Sequence, residues 1–78
     1  MVKIEAVEQG SIAEELKIQP NDILESINGK EVNDRLDYRF YQSDEALELL
    51  VRRGEEAIIF DIEKDVDEDI GIVLQDFF

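Results

Sequence analysis

Seventy-eight residues are enough for one small domain with a modest core, and for no more than one. The absence of cysteine and histidine excludes disulfides, thiolate metal or iron–sulfur sites and the commonest neutral-pH acid/base group, so ordinary enzyme chemistry is disfavoured. A net charge of −13, from 21 acidic and 8 basic residues, repels nucleic acid and anionic membranes and attracts basic partners.

Residues 2–7, VKIEAV, alternate apolar and charged positions and predict a half-buried strand. Ser11 follows a glycine and precedes Glu14 at the capping-box spacing, which predicts a short helix from about Ile12 to Lys17 with Ile12, Ala13 and Leu16 as its apolar stripe. Pro20-Asn21-Asp22 is a turn that the helix does not pass. Ile23 to Ile27 reads as the second strand. Asn28-Gly29, both tolerant of positive φ, reads as a hairpin turn into a brief return strand, Lys30 to Val32.

Asn33 or Asp34 caps a second helix, from about Asp34 to Gln42. Leu36 and Phe40, at i and i+4, are expected on its buried side, with Tyr38 and Tyr41 partly off that stripe and their hydroxyls in water. Ala46 to Arg53 suits either a helix capped by Ser43 or a strand with Leu47, Leu49 and Val51 on one face. The strand is preferred, because Arg53-Gly54-Glu55-Glu56 makes a turn into a clear strand at Ala57 to Lys64. In that hairpin Arg52 and Arg53 are expected to face Glu55 and Glu56. Residues 71–75 make a last short strand, and Phe77-Phe78 end the chain. The fold class is α+β: a small, mostly antiparallel sheet, a partly open barrel or sandwich, with two short helices.

Gly10-Ser11-Ile12-Ala13-Glu14-Glu15-Leu16, then Ile18-Gln19-Pro20-Asn21-Asp22-Ile23-Leu24, then Ser26-Ile27-Asn28-Gly29-Lys30-Glu31-Val32 resembles a PDZ domain. Asn21 stands where that family usually has glycine, and asparagine also tolerates a left-handed backbone. The peptide-gripping loop of animal PDZ domains precedes the Gly-Ser helix. Here the matching loop, Ile70-Gly71-Ile72, lies at the far end, as in the circularly permuted bacterial type. Asp37-Tyr38-Arg39-Phe40 and the run from Glu63 to Gly71 resemble the PDZ-like domain that precedes a radical S-adenosylmethionine-type, iron–sulfur-related domain in clostridial proteins. That resemblance implies that residues 1–78 are a single PDZ-like domain from the N-terminus of a larger protein, with any cluster-binding cysteines outside it.

The resemblance implies a non-catalytic interaction domain that docks a peptide, or a neighbouring domain of the same protein, in a groove between the second helix and the last strand. Ile70, Gly71, Ile72 and Leu74 would supply the strand side, Leu36 and Phe40 the pocket, and Arg39 or Arg35 a cation. The alternative is an accessory domain that positions substrate for the iron–sulfur domain. Asp65, Asp67 and Asp69 have the alternate spacing that opens an EF-hand loop, with Asp76 at the twelfth position. Ile70 occupies the place the loop reserves for glycine, so a solvated loop is preferred to a calcium site, and no cofactor is expected in this chain. The same aspartates oppose a ligand carboxylate, which favours docking onto protein over capture of a peptide end. No signal-peptide pattern opens the sequence and no stretch has the length of a membrane span, so a cytoplasmic location is expected.

Overall fold

The computed structural model of the chain describes residues 1–75. Six strands and two helices follow the expected order: β1 (Val2–Val7), α1 (Ile12–Glu15), β2 (Ile23–Ile27), β3 (Lys30–Glu31), α2 (Arg35–Tyr41), β4 (Ala46–Arg53), β5 (Glu56–Glu63) and β6 (Ile72–Leu74). The sheet runs β5-β4-β2-β1-β6, with β3 added to β2, and every pairing is antiparallel. It stays open, with β5 and β6 as its two edges. Register shifts interrupt β1/β6 between Ile4 and Ala6, and β2/β4 between Leu24 and Ser26. Such irregularities bend a sheet and increase its twist, which wraps this one around a single core.

Alternation decides which side chains fill that core. Val2 and Ile4 of β1, Leu24 and Ile27 of β2, Leu47, Leu49 and Val51 of β4, and Ile72 and Leu74 of β6 are buried, together with Ala13, Ile18, Val32 and Ile70. Each fully buried aliphatic side chain contributes about 1.5–3 kcal/mol of transfer free energy. Residues 46–53 are a strand, as their alternation requires, and they pair with β5 over the full length of both.

The local signals act as their chemistry demands. Ser11 Oγ accepts the Glu14 N–H at 3.2 Å, and the Glu14 carboxylate reaches back to the Gly10 N–H at 2.9 Å. Asn28 and Gly29 both have positive φ, 52° and 80°. Asn21 has φ 76°, so it performs the left-handed turn that glycine would otherwise supply.

Two expectations require correction. Arg53 stands opposite Glu56 across the β4/β5 turn, as expected, but Arg52 stands opposite Ala57, and the hydrogen bonds of both arginines go elsewhere. Arg52 pairs with Glu25 on β2, and Arg53 holds Asp22 with two hydrogen bonds of 2.9 and 2.8 Å. Asp22 is buried at 3% exposure in the turn before β2, which leaves it in need of a cation more than the exposed Glu55 and Glu56 are. The second correction concerns the face of α2. Leu36 and Phe40 are exposed, at 73% and 75%, whereas Tyr38 is buried at 6% and Gln42, one turn on, is buried as well. Seven helical residues with apolar side chains at 36, 38, 40 and 41 allow two apolar faces, and the hydrogen-bonding needs of the loop at residues 70–72 select between them.

Candidate functional site: a groove between the second helix and the edge strand

Asp34 starts α2: its Oδ1 accepts the Asp37 N–H at 2.8 Å, while Asp37 Oδ2 accepts the Asn33 N–H at 3.0 Å. The first bond satisfies a backbone donor that the first helical turn leaves without a partner, and the second ties Asn33, just ahead of the cap, to that turn. The helix then runs beside β6, joined to it by the Ile72 N–H bond to the Tyr38 hydroxyl. Between them is a groove of about 620 Å³, in the range of small-ligand sites. Leu36, Val73 and Leu74 line it with apolar surface, Asp34, Arg35 and Arg39 place charges along the helix wall, and Tyr38 and Asp69 close its loop end.

β6 presents an open edge to this groove. Glu8 N–H donates to the Gly71 carbonyl and Gln75 N–H to the Lys3 carbonyl, so the Gly71 carbonyl and the backbone groups of residues 73 and 75 turn toward β1. Ile72 and Leu74 therefore turn theirs outward, while their side chains stay in the core and the Val73 side chain is exposed.

The loop that feeds β6 is tied down throughout. Ile70 C=O accepts the Ala13 N–H at 2.9 Å. Ile70 N–H donates to Gln42 Oε1 at 3.4 Å, Gly71 N–H to Asp69 Oδ1 at 3.0 Å, and Ile72 N–H to the Tyr38 hydroxyl at 3.3 Å. The Tyr38 hydroxyl in turn donates to Asp69 Oδ1 at 3.0 Å. Burial, the Asp69 charge and the Asp69 hydrogen bond push the Tyr38 phenol well above its ordinary pKa, reinforced by the charge of Glu8 and opposed by the Ile72 N–H. Tyr38 is thus a neutral donor and acceptor at every physiological pH.

Gly71 has φ +95° and sits directly against Ser11, where a Cβ would overlap the serine side chain. The close approach that glycine permits is therefore used by the N-cap of α1. The aspartates of the preceding segment do not gather into a metal site. Asp65 and Asp67 are exposed, Asp69 is turned to Tyr38 and Gly71, and among the described residues no group of three or more acidic side chains is placed to hold an ion. Asp76, the twelfth position of that spacing, lies outside the described residues, as do Phe77 and Phe78.

Of the residues singled out from the sequence, Leu36, Arg39, Ile72 and Leu74 line the groove, and Ile70 and Gly71 anchor its loop end. Phe40 does not line it; it stacks edge-on against Tyr41, with ring centroids 5.7 Å apart. Tyr38, Gln42 and Asp69 emerge as the residues that organise the loop. Tyr38/Gln42 and Leu36/Phe40 are both i, i+4 pairs, so no signal in the sequence singled out the inward face.

A family model described as PDZ domain matches residues 3–53, which span β1 to the end of β4. The chain therefore belongs to the PDZ domain family, whose members are in general non-catalytic domains that bind proteins or peptides. Among solved structures, it is similar to the PDZ domain of an SdrC-like protein from Listeria monocytogenes, with a TM-score of 0.75 over 94% of this chain and 85% of that one. At 18% identity that likeness concerns the fold. No curated protein matches the chain.

Proposed function

We propose that this domain is a docking module, receiving an extended segment of a partner protein, or of a neighbouring domain, along β6 in the groove facing α2. One observation carries the reading: the outward backbone groups of the β6 edge lie beside an apolar groove whose far wall, α2, exposes Leu36 at 73%. An added strand would satisfy the edge groups, as strand-addition ligands do. Exposed apolar side chains along that path would be covered by the same event. The net charge of −13 favours a basic partner and disfavours nucleic acid or an anionic membrane.

Chemical-shift mapping of the labelled domain against a library of short extended peptides tests this. Binding peptides are expected to move the amides of Val73, Leu74, Leu36 and Arg39 together. Ligands that perturb only β4 and β5, or none that perturb the groove, sink the proposal. The alternative role, positioning substrate for a downstream radical S-adenosylmethionine-type domain, is supported by the resemblance of residues 37–40 and 63–71 alone. Its test is a cysteine-rich motif following this segment in the full-length gene.

A further inference from the structure

The three backbone N–H groups that a gripping loop would offer to a ligand's terminal carboxylate are Ile70, Gly71 and Ile72. All three already donate to oxygens of this chain, namely Gln42 Oε1, Asp69 Oδ1 and the Tyr38 hydroxyl. One of those oxygens belongs to a carboxylate, and the same atom also receives the Tyr38 hydroxyl hydrogen. Asp69 Oδ1 therefore already holds two donors, a loop N–H and a phenol, and both Asp69 and Tyr38 line the groove where an incoming anion would have to stand. A second carboxylate would have to displace the first and stand beside its negative charge. Glu8 adds its charge at the same point, and exposed Asp65, Asp67 and Glu68 precede the loop.

We propose that Asp69 fills, from within the chain, the anion position of the Ile70-Gly71-Ile72 loop, so that the groove takes an internal, extended segment with a lysine or arginine over the loop rather than a chain end. The inference deepens the docking reading and rests on it for the identity of the occupant. A segment that continues past the loop needs no carboxylate partner there. Its backbone meets the Ile72 carbonyl and the outward groups of Leu74, and its apolar side chains meet Leu36 and Val73. Among the described residues both donors to Asp69 fall on Oδ1, so its second oxygen is the one turned to a cation. Charge complementarity with a domain of net charge −13 acts in the same direction.

The test uses the whole chain, nitrogen-15 labelled, and two pairs of probes. The first pair is N-acetyl-leucyl-valine as the free acid and as its amide. In the native chain neither is expected to produce an acid-specific shift at Gly71 or Ile72. In Asp69→Ala the free acid, and not the amide, is expected to move both amides and to bind about tenfold or more tighter than to the native chain, the value of one charge-assisted hydrogen bond. Asp69→Asn keeps an oxygen for the Gly71 N–H and is expected to stay closed to the acid. An acid-specific, saturable shift of Gly71 in the native chain overturns the proposal without any variant. So does an Asp69→Ala chain with a native-like spectrum that still ignores the acid, or an Asp69→Asn chain that captures it as well as Asp69→Ala does.

The second pair is an acetylated, amidated pentapeptide alternating valine with lysine, and its glutamate counterpart. The lysine peptide is expected to move Leu74 and Leu36 and to weaken about tenfold in Asp69→Ala, while the glutamate peptide is expected to leave them still. Equal binding of the two overturns the basic-segment assignment. If the acid enters Asp69→Ala while neither pentapeptide touches the groove, the docking reading fails and the internal filling of the loop stands.

Discussion

Removing one oxygen from the core side of α2 is the sharpest probe of this architecture. Tyr38→Phe keeps the ring, which is buried at 6% exposure, and deletes the hydroxyl that bridges the Ile72 N–H and the Asp69 carboxylate. Two hydrogen bonds are lost, one of them to a charged acceptor, and Ile72 is itself buried at 5% exposure. A buried N–H left without a partner costs about 1–3 kcal/mol, and the phenol's departure also ends the desolvation cost of the hydroxyl itself, so a net loss of about 2 kcal/mol is expected. For a domain of this size that corresponds to a fall in Tm of roughly 8–16 °C. Urea unfolding followed by circular dichroism, with m unchanged, measures it.

The same substitution carries a signature in pH. The folded Tyr38 pKa is raised, so its stabilising contribution is full below the unfolded value near 10 and is lost as pH climbs through the folded value. Native stability should therefore fall more steeply above pH 10 than that of Tyr38→Phe. A loss under about 0.5 kcal/mol at pH 7, or identical alkaline profiles, would refute the assigned hydrogen-bond bridge.

Three further outcomes are expected. Gly71→Ala combines a left-handed φ of +95° with overlap against Ser11 and should cost about 3 kcal/mol or more, whereas Gly54→Ala, whose Cβ would meet nothing, should cost about 1 kcal/mol; parallel urea titrations decide. For Asp22, burial raises the pKa but is outweighed by the Arg53 hydrogen bonds, the Gln19 N–H and the Arg53 charge, so its folded pKa lies below 3.8. Its contribution is present above that ordinary value and fades as pH falls through the folded one. Asp22→Asn should therefore lose about 1 kcal/mol at pH 7, a modest figure because Arg53 remains 38% exposed, and the gap to the native chain should close in acid titrations below pH 3.8. Leu36→Ser and Phe40→Ser should each change stability by less than about 0.5 kcal/mol, because both side chains are exposed. Only Leu36→Ser should weaken a groove ligand in titrations read at Leu74, and equal weakening by Phe40→Ser would contradict the groove's lining.

Much of the architecture was legible because it is written in local rules. Ser11 and Glu14 mark a helix start wherever they occur at that spacing, and Asn28-Gly29 closes a two-residue hairpin. Alternation at Leu47, Leu49 and Val51 declared a strand with one buried face. The helix α2 was placed to within one residue at each end, since Asp34 and Gln42 proved to be its caps. Its orientation was not legible. Leu36/Phe40 and Tyr38/Gln42 are both i, i+4 pairs, and helical periodicity by itself gives no reason to bury the more polar one.

Composition and short-range chemistry therefore determined the order of elements, the α+β class and the charge, and the PDZ resemblance pointed to the segment that would form the groove's loop. Tertiary structure decided what that loop's N–H groups hold. The loop and α2 are about 30 residues apart in sequence, with Tyr38 and Asp69 separated by 31 and Ile70 and Gln42 by 28. Only folding brings their donors and acceptors together, and the need to satisfy every buried N–H then turned Tyr38 and Gln42 inward and left Leu36 and Phe40 outside.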